Sequence, residues 1–146
     1  MKILVCVDLS DSTEELLKRI EELCRPLNAK VWLLHNAQPE PDNIAFKVDP
    51  IEARESLAKE FHHQHRQLQE LAERFRKAGV EAAALLVHGK TVDVILTVAS
   101  DWDIDVIVVG SHGHGAMYQL LAGSISEGVL QGSSKPVLVI PTHKRD

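Results

Sequence analysis

The chain alternates between short apolar runs and longer segments in which apolar residues recur every three or four positions. A short apolar run indicates a strand buried on both faces, and the longer recurrence indicates a helix with one buried face. Two strands joined through a helix run in the same direction, so this alternation predicts a parallel sheet covered by helices. Strands are predicted at 2–7, 30–35, 80–88, 105–110 and 136–141, and helices at 12–27, 50–78, 92–99 and 124–131.

Local signals indicate where the predicted helices begin and end. Ser12 and Glu15 have capping-box spacing, which predicts the start of the first helix. Asp49 and Pro50 are typical of a helix start, and Gly79 is the glycine expected just after a helix end. One face of the first helix is predicted to be buried: Leu16, Leu17, Ile20, Leu23, Cys24 and Leu27.

The long second helix has an apolar seam in near-heptad steps: Leu57, Phe61, Gln64, Leu68, Leu71, Phe75 and Ala78. Packing of this seam onto the sheet is the simplest interpretation. A surface for a partner is the alternative.

The composition restricts the class of protein. The 146 residues are 45% hydrophobic and 25% charged, which is ordinary for a globular protein and predicts one domain over 1–146. The net charge of −5 argues against nucleic acid or an anionic membrane as a partner, because both favour basic surfaces. Cys6 and Cys24 lie in apolar patterns, so we expect two core thiols in a reducing compartment. The chain has no long apolar run and no signal-peptide pattern, which predicts a cytoplasmic location.

The predicted sheet brings two polar features to one edge. Open α/β sheets bind ligands beyond the carboxyl ends of their strands, where the strand order reverses. Asp8 follows the first strand and Gly110 ends the fourth. If those two strands are neighbours, Asp8 and the segment 110–124 face each other across a crevice.

That segment has the features of an anion site. Gly110 and Gly113 allow close approach of the backbone to a ligand. Gly123 and Ser124 precede a helix whose first amides and dipole favour a phosphate. The hydroxyl of Ser124 either caps this helix or binds a phosphate oxygen.

Familiar phosphate-binding classes do not match. The chain has no GxxxxGK[ST] sequence, which excludes a P-loop NTPase, and no GxGxxG after its first strand, which argues against a dinucleotide-binding domain. A phosphorylated receiver domain needs an acidic cluster at the end of that strand, where this chain has the single acid Asp8.

At these residues the sequence resembles the universal stress protein family. The family's nucleotide signature is a glycine, two residues, a glycine, nine residues, a glycine and then serine or threonine. Gly110, Gly113, Gly123 and Ser124 match it. The opening ILVCVDLSDS, the strand that ends in His35 and the ending GSSKPVLVIP are also similar to the family pattern, so the resemblance covers essentially the whole chain.

The resemblance implies a five-stranded parallel doubly wound open sheet with strand order 3-2-1-4-5, of the adenine nucleotide alpha hydrolase-like type. It implies a stress-response signalling or regulatory module that binds ATP or AMP, and it allows Mg²⁺ to be bound through the phosphates. It also implies a homodimer. The apolar strand 136–141 is expected to form that interface, since an exposed edge strand invites pairing.

The resemblance further implies which residues contact the nucleotide. The phosphates would lie on the amides of Gly113, Gly123, Ser124 and Ile125. The adenine and ribose pocket would be lined by Val7, Val109 and Gly110, with Asp8 near the adenosine or a metal and His112 within reach of the ligand.

Two positions differ from the family pattern. Many relatives have arginine or lysine after the second glycine, where this chain has His114. A protonated histidine binds phosphate better than a neutral one, so we expect triphosphate affinity to rise as the pH falls toward about 6, or to depend on a divalent metal. Asn36 follows His35, where a relative can place an apolar contact to adenine. Asn36 either hydrogen-bonds the base edge or begins the next loop.

The residues favour a binding module over an enzyme. ATP hydrolysis needs a positioned water, charge stabilisation at the γ-phosphate and usually a base. The glycine segment has no lysine or arginine, and Asp8 is the one nearby acid that can be placed. No catalytic residue and no set of protein metal ligands is therefore assigned. A slow Mg-dependent ATPase and a ligand-free structural dimer are the alternatives.

Overall fold

The computed structural model describes residues 1–37, 50–111 and 125–142. Within these ranges the elements follow the predicted alternation, and a short 3₁₀ turn at Arg25–Leu27 follows the first helix. The elements are β1 (Lys2–Cys6), α1 (Thr13–Cys24), β2 (Lys30–Asn36), α2 (Pro50–Lys77), β3 (Glu81–Val87), α3 (Thr91–Asp101), β4 (Val106–Gly110), α4 (125–132) and β5 (Val137–Ile140).

The five strands form one parallel sheet in the order β3-β2-β1-β4-β5. Leu4 in the central strand β1 lies opposite Trp32 of β2 and Ile107 of β4. The chain moves outward from β1 to β3 and then crosses back to β4, so the order reverses between β1 and β4. The predicted fold class and strand order are confirmed, and the reversal lies where Asp8 and Gly110 end their strands.

Two apolar layers cover the two faces of the sheet. Successive residues of a strand point to opposite faces. Val5 therefore packs into the layer formed with α1 and α2, whose largest buried side chain is Phe75. Leu4 packs into the layer formed with α3 and α4, together with Ile95 and Val129. The sheet is doubly wound, as the alternation predicted. Among the helices of the described ranges, none is long and apolar enough to cross a membrane.

Helix α1 begins where the sequence predicted, but not for the predicted reason. Ser12 is the residue before the helix, yet its side chain makes no capping hydrogen bond. Its φ of −73° and ψ of −13° are already helical, whereas a capping residue normally has an extended backbone. The predicted buried face was also too wide. Leu23 and Leu27 are exposed, and Leu27 lies beyond the end of α1, in the 3₁₀ turn.

The seam of α2 packs onto the sheet along one part of the helix. Leu68 and Phe75 are fully buried, whereas Leu57 is 40% exposed. The interpretation that the whole seam packs onto the sheet is therefore wrong at Leu57. Gly79 follows the helix with a φ of 86°, which confirms its predicted role. The predicted cap Asp49 lies outside the described residues.

Candidate functional site

A cavity of about 130 Å³ opens at the carboxyl ends of β1, β2 and β4. Its position is the reversal of strand order, where open α/β sheets bind their ligands. Apolar side chains line most of it: Cys6, Val7, Leu34, Ile95, Val109 and Ile125. The remaining lining residues are Asp8, His35, Asn36, Thr91, Gly110 and Ser126.

The predicted binding residues that the structure describes all line this cavity: Val7, Asp8, Asn36, Val109, Gly110 and Ile125. The structure thus brings together residues from β1, β2, β4 and α4 that are far apart in the sequence. Their contact with a nucleotide stays a prediction. The other predicted residues lie outside the described ranges: His112, Gly113, His114, Gly123 and Ser124.

Asp8 organises the turn that leaves β1. Its Oδ1 accepts hydrogen bonds from the Ser10 amide at 3.0 Å, the Ser10 hydroxyl at 2.6 Å and the Thr13 hydroxyl at 3.3 Å. Leu9 has a φ of 58°, a left-handed conformation that costs an L-residue about 1–2 kcal/mol. The hydrogen bonds to Asp8 hold this strained turn, and strain of this kind is characteristic of functional sites.

The carboxyl end of β2 supplies two polar side chains on opposite faces of the sheet. The first is His35, which is buried, with its Nδ1 2.8 Å from the carbonyl oxygen of Val7. A carbonyl oxygen only accepts, so Nδ1 is the donor and the ring supports the backbone just before Asp8. This agrees with the general expectation that a buried histidine is satisfied by a hydrogen bond.

The second is Asn36, whose amide reaches the turn between β3 and α3. Its Nδ2 donates to the carbonyl oxygen of Gly89 at 2.7 Å and to the hydroxyl of Thr91 at 2.9 Å. Its Oδ1 is buried and has no hydrogen-bond partner among the described residues. Asn36 is therefore the last residue of β2 and not the beginning of the next loop, and it holds one wall of the cavity. A hydrogen bond from Asn36 to the base edge stays a prediction.

Helices α3 and α4 lie side by side and run in the same direction. A Cβ atom added at Gly128 would lie 2.9 Å from Val92 Cγ2, and one added at Gly132 would lie 2.6 Å from Leu96 Cδ1. From the first contact to the second, both helices advance by about one turn in the same chain direction. Their amino ends therefore lie at the same edge of the sheet. The hydroxyl of Ser126 donates to the carbonyl oxygen of Gly110 at 3.3 Å and joins α4 to β4 there.

The electrostatics of the cavity are simple. Asp8 is the one charged side chain among the described residues that line it, and no lysine or arginine is in that set. Desolvation raises the pKa of the Cys6 thiol to about 12, so the thiol stays protonated at neutral pH. Burial also raises the pKa of Cys24. Within the described ranges, no three His, Cys, Asp or Glu side chains group together in a way that could hold a metal ion.

Sequence reasoning missed several lining residues. Thr91 and Ile95 come from α3, which the sequence showed as a helix but not as a wall of the site. Ser126 is two residues beyond the predicted Ser124, and a serine so close to a helix start could have been noted. Leu34 and Cys6 had been interpreted only as strand core.

The sequence matches the universal stress protein family over residues 1–141. The chain belongs to the universal stress protein family. The universal stress protein MJ0577 of Methanocaldococcus jannaschii is 25% identical over 151 residues, covering 95% of this chain and 93% of that protein. A solved structure of MJ0577 has a TM-score of 0.79 at 27% identity and covers 99% of this chain and 97% of that one.

Two solved universal stress proteins with bound nucleotides share the fold. One, in complex with cAMP, has a TM-score of 0.68 at 24% identity and covers 98% of each chain. The other, from Archaeoglobus fulgidus in complex with dAMP, has a TM-score of 0.61 at 24% identity and covers 96% of this chain and 97% of that one. At these identities the two structures show that the chain has the universal stress protein fold.

Proposed function

We propose that this universal stress protein binds an adenine nucleotide and acts as a regulatory binding module. The base lies in the cavity at the ends of β1, β2 and β4, and the phosphates extend toward the amino end of α4. The observation that supports this most directly is the cavity itself, because the predicted residues described by the structure converge on it.

The shape and lining of the cavity suit a base better than a complete ligand. Its volume of about 130 Å³ is below the range of roughly 300–1,000 Å³ in which drug-sized ligands are enclosed. A purine base fits such a space, and the ribose and phosphates must extend beyond it. Leu34, Ile95 and Val109 offer apolar surface to the faces of a planar base.

The direction in which the phosphates leave follows from the helices. The amino ends of α3 and α4 open at the same edge, and helix amino ends favour anions. Gly110, Gly113, Gly123 and Ser124 match the nucleotide signature of the family, and Gly110 ends β4 at that edge. The cAMP and dAMP bound by the two neighbours make adenine nucleotides the class to test first.

Binding without rapid hydrolysis is the activity we propose. Phosphoryl transfer needs positive charge at the γ-phosphate. Of the described residues around the cavity, Asp8 alone has a charge, and it is negative. A site with this lining can hold a nucleotide and respond to it, and its described residues offer no cation for hydrolysis.

We also propose that the protein forms a homodimer through β5. This strand is at the edge of the sheet, and Leu138 and Val139 are 39% and 37% exposed there. Exposed apolar residues on an edge strand favour pairing with another strand. Light scattering of the parent and of Val139→Lys tests this proposal, with a dimer expected for the parent and a monomer for the variant. A monomeric parent would contradict it.

Mass spectrometry of the denatured, freshly purified protein tests the nucleotide proposal. We expect AMP, ADP or ATP to be released. We also expect added ATP or AMP to raise Tm, because a ligand at 100 times its Kd adds about 2.7 kcal/mol to the stability. In a domain of this size that corresponds to a rise of about 5–11 °C.

Neither released nucleotide nor a shift in Tm with ATP, AMP and Mg²⁺ would overturn the proposal and favour a structural dimer. Recovered ATP would support a slow or absent hydrolysis. Recovered AMP or ADP would call for a hydrolysis assay on the parent and on Asp8→Ala. Rapid phosphate release by the parent would contradict a pure binding role.

A further inference from the structure

The amide of Asn36 has a fixed orientation in the wall of the cavity. Both neighbours of Nδ2 are acceptors: the Gly89 carbonyl oxygen cannot donate at all, and the Thr91 hydroxyl is 2.9 Å away. If the amide were flipped, two oxygen atoms would face each other 2.7 Å apart at Gly89. The amino group therefore points to this turn, and Oδ1 points the other way.

Oδ1 of Asn36 is then an acceptor with no donor among the residues that the structure describes. It is closed to solvent and has no partner among the described residues, while Asn36 itself lines the cavity. Buried acceptors in native proteins are nearly always satisfied, and an unsatisfied one needs an explanation. A donor on a ligand in the cavity provides one.

We propose that Oδ1 of Asn36 accepts a hydrogen bond from the 6-amino group of the purine, and so selects 6-amino over 6-oxo purines. This inference rests on the proposed function, because it assumes that the base occupies the cavity. Asn36 is then a determinant of base specificity as well as a hydrogen-bond donor to the β3–α3 turn.

The chemistry of the two purine classes explains the selection. Adenine has an amino donor at position 6, whereas hypoxanthine and guanine have a carbonyl oxygen there. A 6-oxo purine would place its oxygen against Oδ1 and leave both acceptors unsatisfied. Oδ1 is closed to solvent. A purine donor therefore reaches it only when the side chains around it shift, and the new hydrogen bond offsets the cost of that shift. Sites built around a hydrogen bond reject analogues that lack it more strongly than apolar pockets do.

Calorimetric titration of the parent protein, with any bound nucleotide first removed, tests the proposal. The ligands are AMP, IMP and purine riboside monophosphate, which has only hydrogen at position 6. We expect AMP to bind about 10- to 100-fold more tightly than IMP, with the 6-hydrogen analogue in between. Equal affinities for AMP and the 6-hydrogen analogue would overturn the inference, whatever the variants show.

Two variants separate specificity from stability. Asn36→Ala should bring the ratio of the AMP and IMP affinities to within about threefold of unity, since both bases then meet the same apolar wall. Asn28→Ala removes an asparagine near the opposite edge of the sheet, before β2, and should keep the ratio of the parent. A ratio that survives in folded Asn36→Ala would overturn the inference and assign the selection to the backbone.

The outcomes also distinguish this inference from the proposed function. If no nucleotide binds, the proposed function fails and the inference fails with it. If AMP and IMP bind equally, the proposed function survives and the role of Asn36 Oδ1 is refuted.

Discussion

The contact between α3 and α4 determines where one wall of the cavity lies, and a single methyl group tests it. In Gly128→Ala the new Cβ would lie 2.9 Å from Val92 Cγ2, 3.3 Å from Cγ1 and 3.7 Å from Cβ. Valine is stiff at χ1, so this side chain cannot turn away as a whole. The helices must separate instead, and α4 would draw Ser126 away from Gly110.

The expected magnitude is the difference of two effects. Overpacking of a tight contact costs about 1–3 kcal/mol. Alanine gains up to about 1 kcal/mol over glycine within a helix. We therefore expect Gly128→Ala to lower the free energy of unfolding by about 1 kcal/mol, which is a fall in Tm of roughly 2–4 °C.

Urea denaturation of three variants checks this reasoning. Gly128→Ala combined with Val92→Ala should be more stable than the sum of the single changes by at least about 0.5 kcal/mol, because the clash is removed. Gly132→Ala is the matched control. Its new Cβ meets the flexible end of Leu96, so it should be neutral or stabilising. A stabilised Gly128→Ala, or equal losses at Gly128 and Gly132, would refute the argument.

Three further predictions concern single residues. Asn28 has a φ of 48°, so Asn28→Ala should cost about 1 kcal/mol in urea denaturation and Asn28→Gly should not; equal losses would contradict this. Since the pKa of Cys6 is about 12 rather than 9.0, iodoacetamide at pH 8.5 should modify Cys6 far more slowly in the native protein than in the unfolded chain, and the stability should fall as the pH rises from 9.0 toward 12. Comparable rates would refute the raised pKa of this thiol. A hydrogen bond from Lys135 lowers the pKa of Asp103, so its stabilising effect is present above 3.8 and is lost as the pH falls through the folded value. Lys135→Met should return the Asp103 pKa, measured by NMR, toward 3.8; an unchanged pKa would assign the shift to another group.

The order of the strands and helices could be predicted from the sequence because the signals are local. An apolar run such as KILVC or VIVVG is recognisable by itself, and a helical period shows which residues share a face. Asp8 and Gly110 could be selected for the same reason, since each follows directly from the end of a strand. The resemblance to a family added the order of the strands, which the structure confirms.

How far each helix face is covered could not be predicted. Leu57 and Leu68 have the same seam spacing, but only Leu68 lies over the sheet. Leu23 fits the face of α1 and is nevertheless exposed. Periodicity gives the direction of a side chain, while burial depends on whether another element lies in that direction.

The sequence by itself determined the alternation of elements and the parallel sheet, and it predicted the edge at which a ligand binds. Tertiary structure decided which side chains meet at that edge. The amide of Asn36 reaches Gly89 and Thr91, more than fifty positions further along the chain, and Ser126 reaches Gly110. Such contacts depend on how β2, α3 and α4 pack in three dimensions, and no local pattern of residues encodes them.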